Sequence, residues 1–349
     1  MAARFLRLLR CRNEAIMKKA FPFLLLSLFL AGCQGWQSAI DAQGPSSQAL
    51  AEIFWIFVSV LGIVWVLTMT ALLLALRRRR PAGADPLVTD PGTERRMTIA
   101  VSVAVALTLV TVISLTGLSY AAQKALFSHK DGALSLLVTG QQWWWKITYE
   151  NEQPNLVFTT ANEIHIPVGE PVLIKLESSD VIHSFWVPNL TGKMDAVPGR
   201  QNQLQIQADR PGIYRAQCAE FCGLQHAHMG MLVIAETKED FERWRNHQVS
   251  SAIPPNDPER QRGMEVFLSK PCIMCHQVRG TDAGGKVAPD LTHVGSRRYI
   301  GAGTLETTRG NIAAWIIDPH GVKPGVNMPT IQLEPDEVQP LASYLEGLK

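Results

Sequence analysis

The densest group of soft metal ligands in the chain is the run Cys218-Ala219-Glu220-Phe221-Cys222-Gly223-Leu224-Gln225-His226-Ala227-His228-Met229, with His183-Ser184-Phe185 well upstream of it. Thiolate, imidazole and thioether together suit copper, and a Cys-His-Met loop with one distant histidine is how blue-copper electron-transfer sites are assembled. The second cysteine changes the chemistry. Two thiolates on one loop can bridge two copper ions, which then share an electron and change geometry little on redox, giving a binuclear electron-transfer site. The competing readings are a disulfide in an oxidising compartment, a one-cysteine copper site, and a zinc site, for which a thioether such as Met229 is a poor ligand. His228 and His165 lie off the pattern and read as surface or supporting histidines.

A second constellation is Cys272-Ile273-Met274-Cys275-His276. Two cysteines followed directly by histidine form the attachment pattern for a c-type haem, in which two thioether links fix the porphyrin and the histidine ligates iron. A redox Cys-x-x-Cys pair would instead require a βαβ setting, which this segment lacks. Met264 precedes the attachment site and Met274 lies inside it, so neither is placed to approach the opposite haem face. Asn327-Met328-Pro329 resembles the distal loop of class I cytochromes c, which makes Met328 the implied second axial ligand. Ala288-Pro289-Asp290-Leu291 resembles the loop after the haem helix, with Pro289 near the proximal histidine in a packing role.

These residues need elements to hold them. The chain has 349 residues, room for two ordinary domains plus accessory segments. A formal net charge of +2 gives no concentrated basic surface, so nucleic acid is disfavoured as a partner. Met17-Lys18-Lys19, the apolar stretch Ala20 to Leu30 and then Leu30-Ala31-Gly32-Cys33 resemble a bacterial lipoprotein signal over residues 1–32, with Met17 the better initiator and lipid expected on Cys33. Two apolar segments, about 53–76 and 97–120, are long enough to span a bilayer and form a transmembrane hairpin within 33–128. The arginines at 77–80 and 95–96 put the loop between them in the cytoplasm, so everything after Tyr120 faces outward, in agreement with an exported N-terminus.

Residues 129–237 change to short β-rich runs punctuated by Pro and Gly, which predicts an all-β antiparallel sandwich or barrel. Residues 238–257 read as a linker: a polar helix-like stretch, then Ser250 to Asp257 with Pro254-Pro255. Residues 258–349 predict a small all-α domain with helices over 259–268 and 335–348, the latter with Pro335 suited to its first position and Pro340 inside it.

The run 218–229, with its spacing to His183, resembles the CuA loop of cytochrome c oxidase subunit II, and the resemblance extends over most of the chain. It implies a cupredoxin-like domain in which His183, Cys218, Cys222, His226 and Met229 bind the two copper ions, with Glu220 lending its main-chain carbonyl. The Glu220 side chain is implied to face a magnesium ion at the boundary with subunit I, with Asp195 nearby; oxygen ligands suit that hard cation. In Gly140-Gln141-Gln142-Trp143-Trp144-Trp145, the first tryptophan is the implied point where electrons arrive near copper, although alternation along a strand would by itself assign Trp143 and Trp145 to packing. Glu94 departs from the family's proton-pathway glutamate, because Arg95-Arg96 replace an apolar-aromatic context.

The resemblance implies a multi-pass subunit of a bacterial inner-membrane respiratory oxidase with its haem and copper domains on the periplasmic side. Electrons would pass from a soluble cytochrome c or similar donor to haem c, to copper and then to haem a of subunit I, where oxygen reduction and proton translocation belong. A relative of nitrous oxide reductase would need many more histidines than the nine present. A free-standing membrane-anchored copper and haem carrier would not need a helical hairpin, and a quinol oxidase subunit would lack Cys218 and Cys222.

Overall fold

A computed structural model describes residues 35–77, 90–126 and 134–349. The signal ending before Cys33, Cys33 itself, Met17 and Arg78 to Arg80 lie outside the described residues. Two long helices, α1 (Pro45–Arg77) and α2 (Pro91–Leu126), extend beyond the expected spans at both ends. They pack on each other and bury almost none of their apolar side chains within the chain. Helices apolar all round need an apolar surrounding. The first turn of α1 is tied to the domain that follows: Ser47 is buried and its hydroxyl donates to the Asn189 carbonyl at 2.7 Å.

The second unit is a two-sheet sandwich. Its strands are β1 (Leu134–Gln141), β2 (Trp144–Tyr149), β3 (Phe158–Ala161), β4 (Glu163–Pro167), β5 (Val172–Ser178), β6 (His183–Trp186), β7 (Met194–Ala196), β8 (Asn202–Ile206), β9 (Gly212–Cys218) and β10 (Gly230–Glu236). One sheet runs β3-β2-β1-β5-β8 and the other β4-β10-β9-β6-β7. The expected antiparallel sandwich holds except at two pairings, where β1 pairs β5 and β10 pairs β4 in parallel. Alternation in β1, β2 and β5 sends Leu136, Val138, Trp145, Ile147, Ile174 and Leu176 into the space between the sheets, fully buried.

Helix α3 (Lys238–Val249) begins at Thr237, whose side chain caps the Asp240 amide. The reading of 238–257 as one linker is corrected here, because α3 belongs to the sandwich. Its Trp244 stacks on His165 with ring centroids 4.0 Å apart and also meets Tyr149 and Phe158. Such aromatic pairs add about 0.5–1.5 kcal/mol beyond their area. Only 250–257 links the units along the chain, and Arg279 holds its start: the guanidinium donates to the Gln248 and Val249 carbonyls at the end of α3, and the Ala252 amide donates to the Arg279 carbonyl.

The third unit is helical: α4 (Pro258–Ser269), the short α5 (Cys272–Cys275), the two-stranded β11 (Tyr299–Ile300) and β12 (Leu305–Glu306), then α6 (Arg309–Ile317), α7 (Pro319–Val322) and α8 (Pro335–Gly347). Helix α8 runs through Pro340 because tertiary packing overrides the local penalty. It crosses α4 at Gly263, where a Cβ would stand 2.0 Å from the Pro340 carbonyl oxygen, so only glycine permits the approach. Phe267 and Tyr344 fill the crossing.

Candidate functional site

Three neighbouring strands of one sheet converge on the cysteines. His183 opens β6, Cys218 closes β9, and Met229 immediately precedes β10, so the loop between β9 and β10 carries the remaining residues. The Cys218 amide donates to the Met229 carbonyl at 3.2 Å, closing that loop. Cys218 Sγ lies 3.8 Å from Cys222 Sγ and 3.9 Å from His183 Nδ1. Cys222 Sγ lies 3.6 Å from His226 Nδ1 and 3.9 Å from Met229 Sδ. The Glu220 carbonyl oxygen lies 3.2 Å from Cys218 Sγ, while the Glu220 side chain points out and is exposed. All six residues read from the sequence as copper-binding therefore meet at one place.

The donor set fits a pair of cations. The Cys222 thiol beside Cys218 pushes the latter's pKa down to about 3, against burial, whereas Cys222 is pushed up because ionising it would set two thiolates together. Two cations would relieve that repulsion. Both cysteines are free and buried, which leaves thiolates available as ligands.

Several supporting residues were not legible in the sequence. Asp180 Oδ1 lies 2.8 Å from His183 Nε2, so the other ring nitrogen faces Cys218. Burial would raise the Asp180 carboxyl, but His183 and the amides of Gln142 and Val181 outweigh it and hold the group below its ordinary value. The His183 side chain packs directly on Gly140, where a Cβ would stand 2.6 Å from Cδ2. Gln142 Nε2 and Trp143 Nε1 both donate to the Cys222 carbonyl, at 2.7 and 2.9 Å.

Trp143 occupies the turn between β1 and β2, not a strand as the alternation argument supposed, yet it is buried like Trp145. Gly325 of the helical unit sits near its ring, so the aromatic edge is covered by the chain itself. Asp195 on β7 is exposed and pairs in register with Ser184, whose carbonyl accepts from Ala219, so Asp195 and Glu220 share one rim. Cys218, Ala219 and His226 open onto a cavity of about 520 Å³ that also meets Leu50 of α1, Trp186 and Lys193. His228 stays outside the cluster, 2.8 Å from Gln225 Oε1, and Glu94 is exposed in the first turn of α2.

In the helical unit, Cys272 and Cys275 bracket α5 as free thiols. His276 Nδ1 lies 2.8 Å from the Pro289 carbonyl, which fixes the ring and leaves Nε2 available to ligate a metal. Burial lowers the His276 pKa and favours the neutral imidazole that a metal requires. Met328 is half-buried on the loop between α7 and α8. These residues fit a haem held from one side by His276.

That same loop leans on the loop between β9 and β10. Lys323, 1% exposed, donates to the carbonyls of Trp143, His228 and Gly301 at 2.7, 2.8 and 3.1 Å. Gln225 donates to the Pro324 carbonyl at 2.8 Å, Asn327 to that of Gln142 at 3.0 Å, and the Gly230 amide to that of Ala302 at 3.0 Å.

Comparison with known proteins agrees with this architecture. A family described as "Cytochrome C oxidase subunit II, periplasmic domain" matches residues 152–236, and "Cytochrome c" matches residues 261–349. The chain is 36% identical to "Cytochrome c oxidase subunit 2" of Alkalihalophilus pseudofirmus over 94% of this chain and 96% of the relative. It is 34% identical to the protein of that name from Bacillus sp. (strain PS3), over 61% of each. A crystal structure of the periplasmic domain of subunit II of cytochrome oxidase from Bradyrhizobium japonicum is 29% identical, covers 35% of this chain and 95% of its own, and has a TM-score of 0.32. By its sequence relatives, two apolar helices, β-sandwich and C-terminal helical domain, the chain belongs to the cytochrome c oxidase subunit 2 family, with a fused cytochrome c domain.

Proposed function

We propose that this subunit relays electrons from a soluble cytochrome c or similar periplasmic donor through its own haem domain to its copper domain and on to haem a of subunit I, in support of oxygen reduction and proton translocation by the complex. His183, Cys218, Cys222, His226, Met229 and the Glu220 carbonyl would hold the copper pair. Cys272 and Cys275 would attach the haem covalently, with His276 and Met328 as its axial ligands. When bound, the two groups supply reversible one-electron chemistry at potentials tuned by those ligands. The chain itself makes and breaks no substrate bond.

The observation that carries this reading is the convergence of two cysteine sulfurs 3.8 Å apart with two imidazole Nδ1 atoms and a thioether, on a loop against which the haem domain is seated. Asp180 and Gly140 fix His183, and Pro289 fixes His276. Trp143 bridges the two domains, its indole on the Cys222 carbonyl and its own carbonyl on Lys323, which supports a role in electron passage.

The Glu220 carboxylate, with Asp195 on the same rim, would hold a magnesium ion facing subunit I. The cavity at His226 and the foot of α1 is the natural face for that partner. Helices α1 and α2 would both cross the inner membrane, and Cys33 would carry lipid; an intact mass that includes residues before Cys33 would contradict the latter. Optical and paramagnetic resonance spectra of the purified membrane complex test the whole reading. Mixed-valence copper, c-haem and a-haem signals are expected together, and c-haem alone would overturn it.

A further inference from the structure

A lysine sealed inside a protein without a carboxylate is rare, because the ammonium loses its water. Lys323 is such a residue: among the described residues it is in no salt bridge, and its ammonium meets three backbone carbonyls. Three N–H donors thus find three acceptors. One acceptor belongs to the haem domain, at Gly301; two belong to the copper domain, on the Trp143 turn and beside Met229. Lys323 also lies five residues before Met328, on the same loop.

We infer that Lys323 is a positioning residue for electron passage between the two domains, fastening the Met328 loop to the copper loop and closing the Trp143 face to external donors. The inference rests on the relay reading above. The bonds nearest it are neutral, Gln225 to Pro324, Asn327 to Gln142 and Gly230 to Ala302, while elsewhere between the two domains the Arg298 amide meets the Glu163 carboxylate and the Arg279 guanidinium meets the Gln248 and Val249 carbonyls. Two of its three hydrogen bonds cross between the domains, to the Trp143 turn and to the residue before Met229, so a single nitrogen joins the Met328 loop to both parts of the copper domain. Trp143 is 7% exposed with Gly325 beside its ring, so a donor from outside meets the haem domain first.

Lys323→Met keeps length and removes all three donors. In the intact membrane complex, hydrogen exchange of the peptide holding Gly230 is expected to quicken roughly tenfold or more, while the interior strands β1 and β5 keep their protection. Haem-to-copper electron transfer slows, the copper resonance and haem potential stay as in wild type, and soluble ferrocytochrome gains a direct route to copper. Unchanged exchange and unchanged transfer in a variant with native spectra would overturn the inference. Should Lys323→Met fail to assemble, the wild type still decides: oxidative labelling of Trp143 as fast as that of half-exposed Trp36 would overturn the closed seam, and strong protection would support it. Exchange at Gly230 is read without reference to electron flow, so a failed relay and a failed seam are told apart.

Discussion

Asp180 Oδ1 and His183 Nε2 lie 2.8 Å apart, and this contact turns Nδ1 of the imidazole toward Cys218. Carboxylates that orient a ligating histidine contribute roughly 10- to 100-fold in metal affinity. Asp180→Ala is therefore expected to weaken copper retention by that order, measured by copper titration of the purified complex. Wild-type affinity in this variant would show that β6 alone orients His183.

Gly140 faces the same histidine from the other sheet. A methyl group there would stand 2.6 Å from His183 Cδ2, far inside contact distance. Gly140→Ala should displace the ring, lower copper occupancy and destabilise the sandwich by about 1–3 kcal/mol through overpacking. Copper analysis alongside thermal melting checks both; full occupancy with an unchanged melt would contradict the packing argument.

The residues that converge around Cys218 and Cys222 are legible in the sequence and their supports are not, for a physical reason. Cys218, Cys222, His226 and Met229 sit on one loop, and residue type alone announces a ligand. Gly140 matters for an absent side chain beside a residue far along the chain, and Lys323 for carbonyl partners that carry no residue identity. Both facts exist only once the sheets are folded. Helix α6 differs: Ile312, Ala313 and Ile316 form its buried face, and that spacing could have revealed the helix among the Gly and Pro loops. In contrast, α1 and α2 were plain from hydropathy, and the C-terminal helix was plain despite Pro340.

His165 makes a pH-dependent contribution to stability. Burial alone would lower its pKa, but the carboxylates of Glu163 and Glu236, 3.4 and 2.6 Å from its ring nitrogens, outweigh this and hold it above the ordinary 6.5. A raised folded-state value means the stabilisation is full below 6.5 and is lost as pH rises through the raised value. Thermal melting should fall across that window, and His165→Gln should flatten the profile. A variant with the wild-type slope would assign the dependence to another group.

Trp143→Phe removes the indole donor to the Cys222 carbonyl, while Gln142 Nε2 still donates to the same oxygen. The copper spectrum should hardly change. Transfer from the haem domain should slow, as read by time-resolved absorption; a normal rate would reduce Trp143 to a packing residue.

The relay itself is tested most directly at Met328. Met328→His exchanges a thioether for a more electron-donating imidazole, which stabilises ferric iron and lowers the haem potential while Cys272 and Cys275 keep the haem attached. Stopped-flow reduction of the membrane complex, with haem and copper bands followed separately, should then show slow reduction of both by a soluble ferrocytochrome. A small mediator acting on copper directly should still support wild-type oxygen consumption, because His183, Cys218, Cys222, His226 and Met229 are untouched. Copper reduced by ferrocytochrome at the wild-type rate, in a variant whose haem potential has dropped, would contradict the account and take the haem domain off the path.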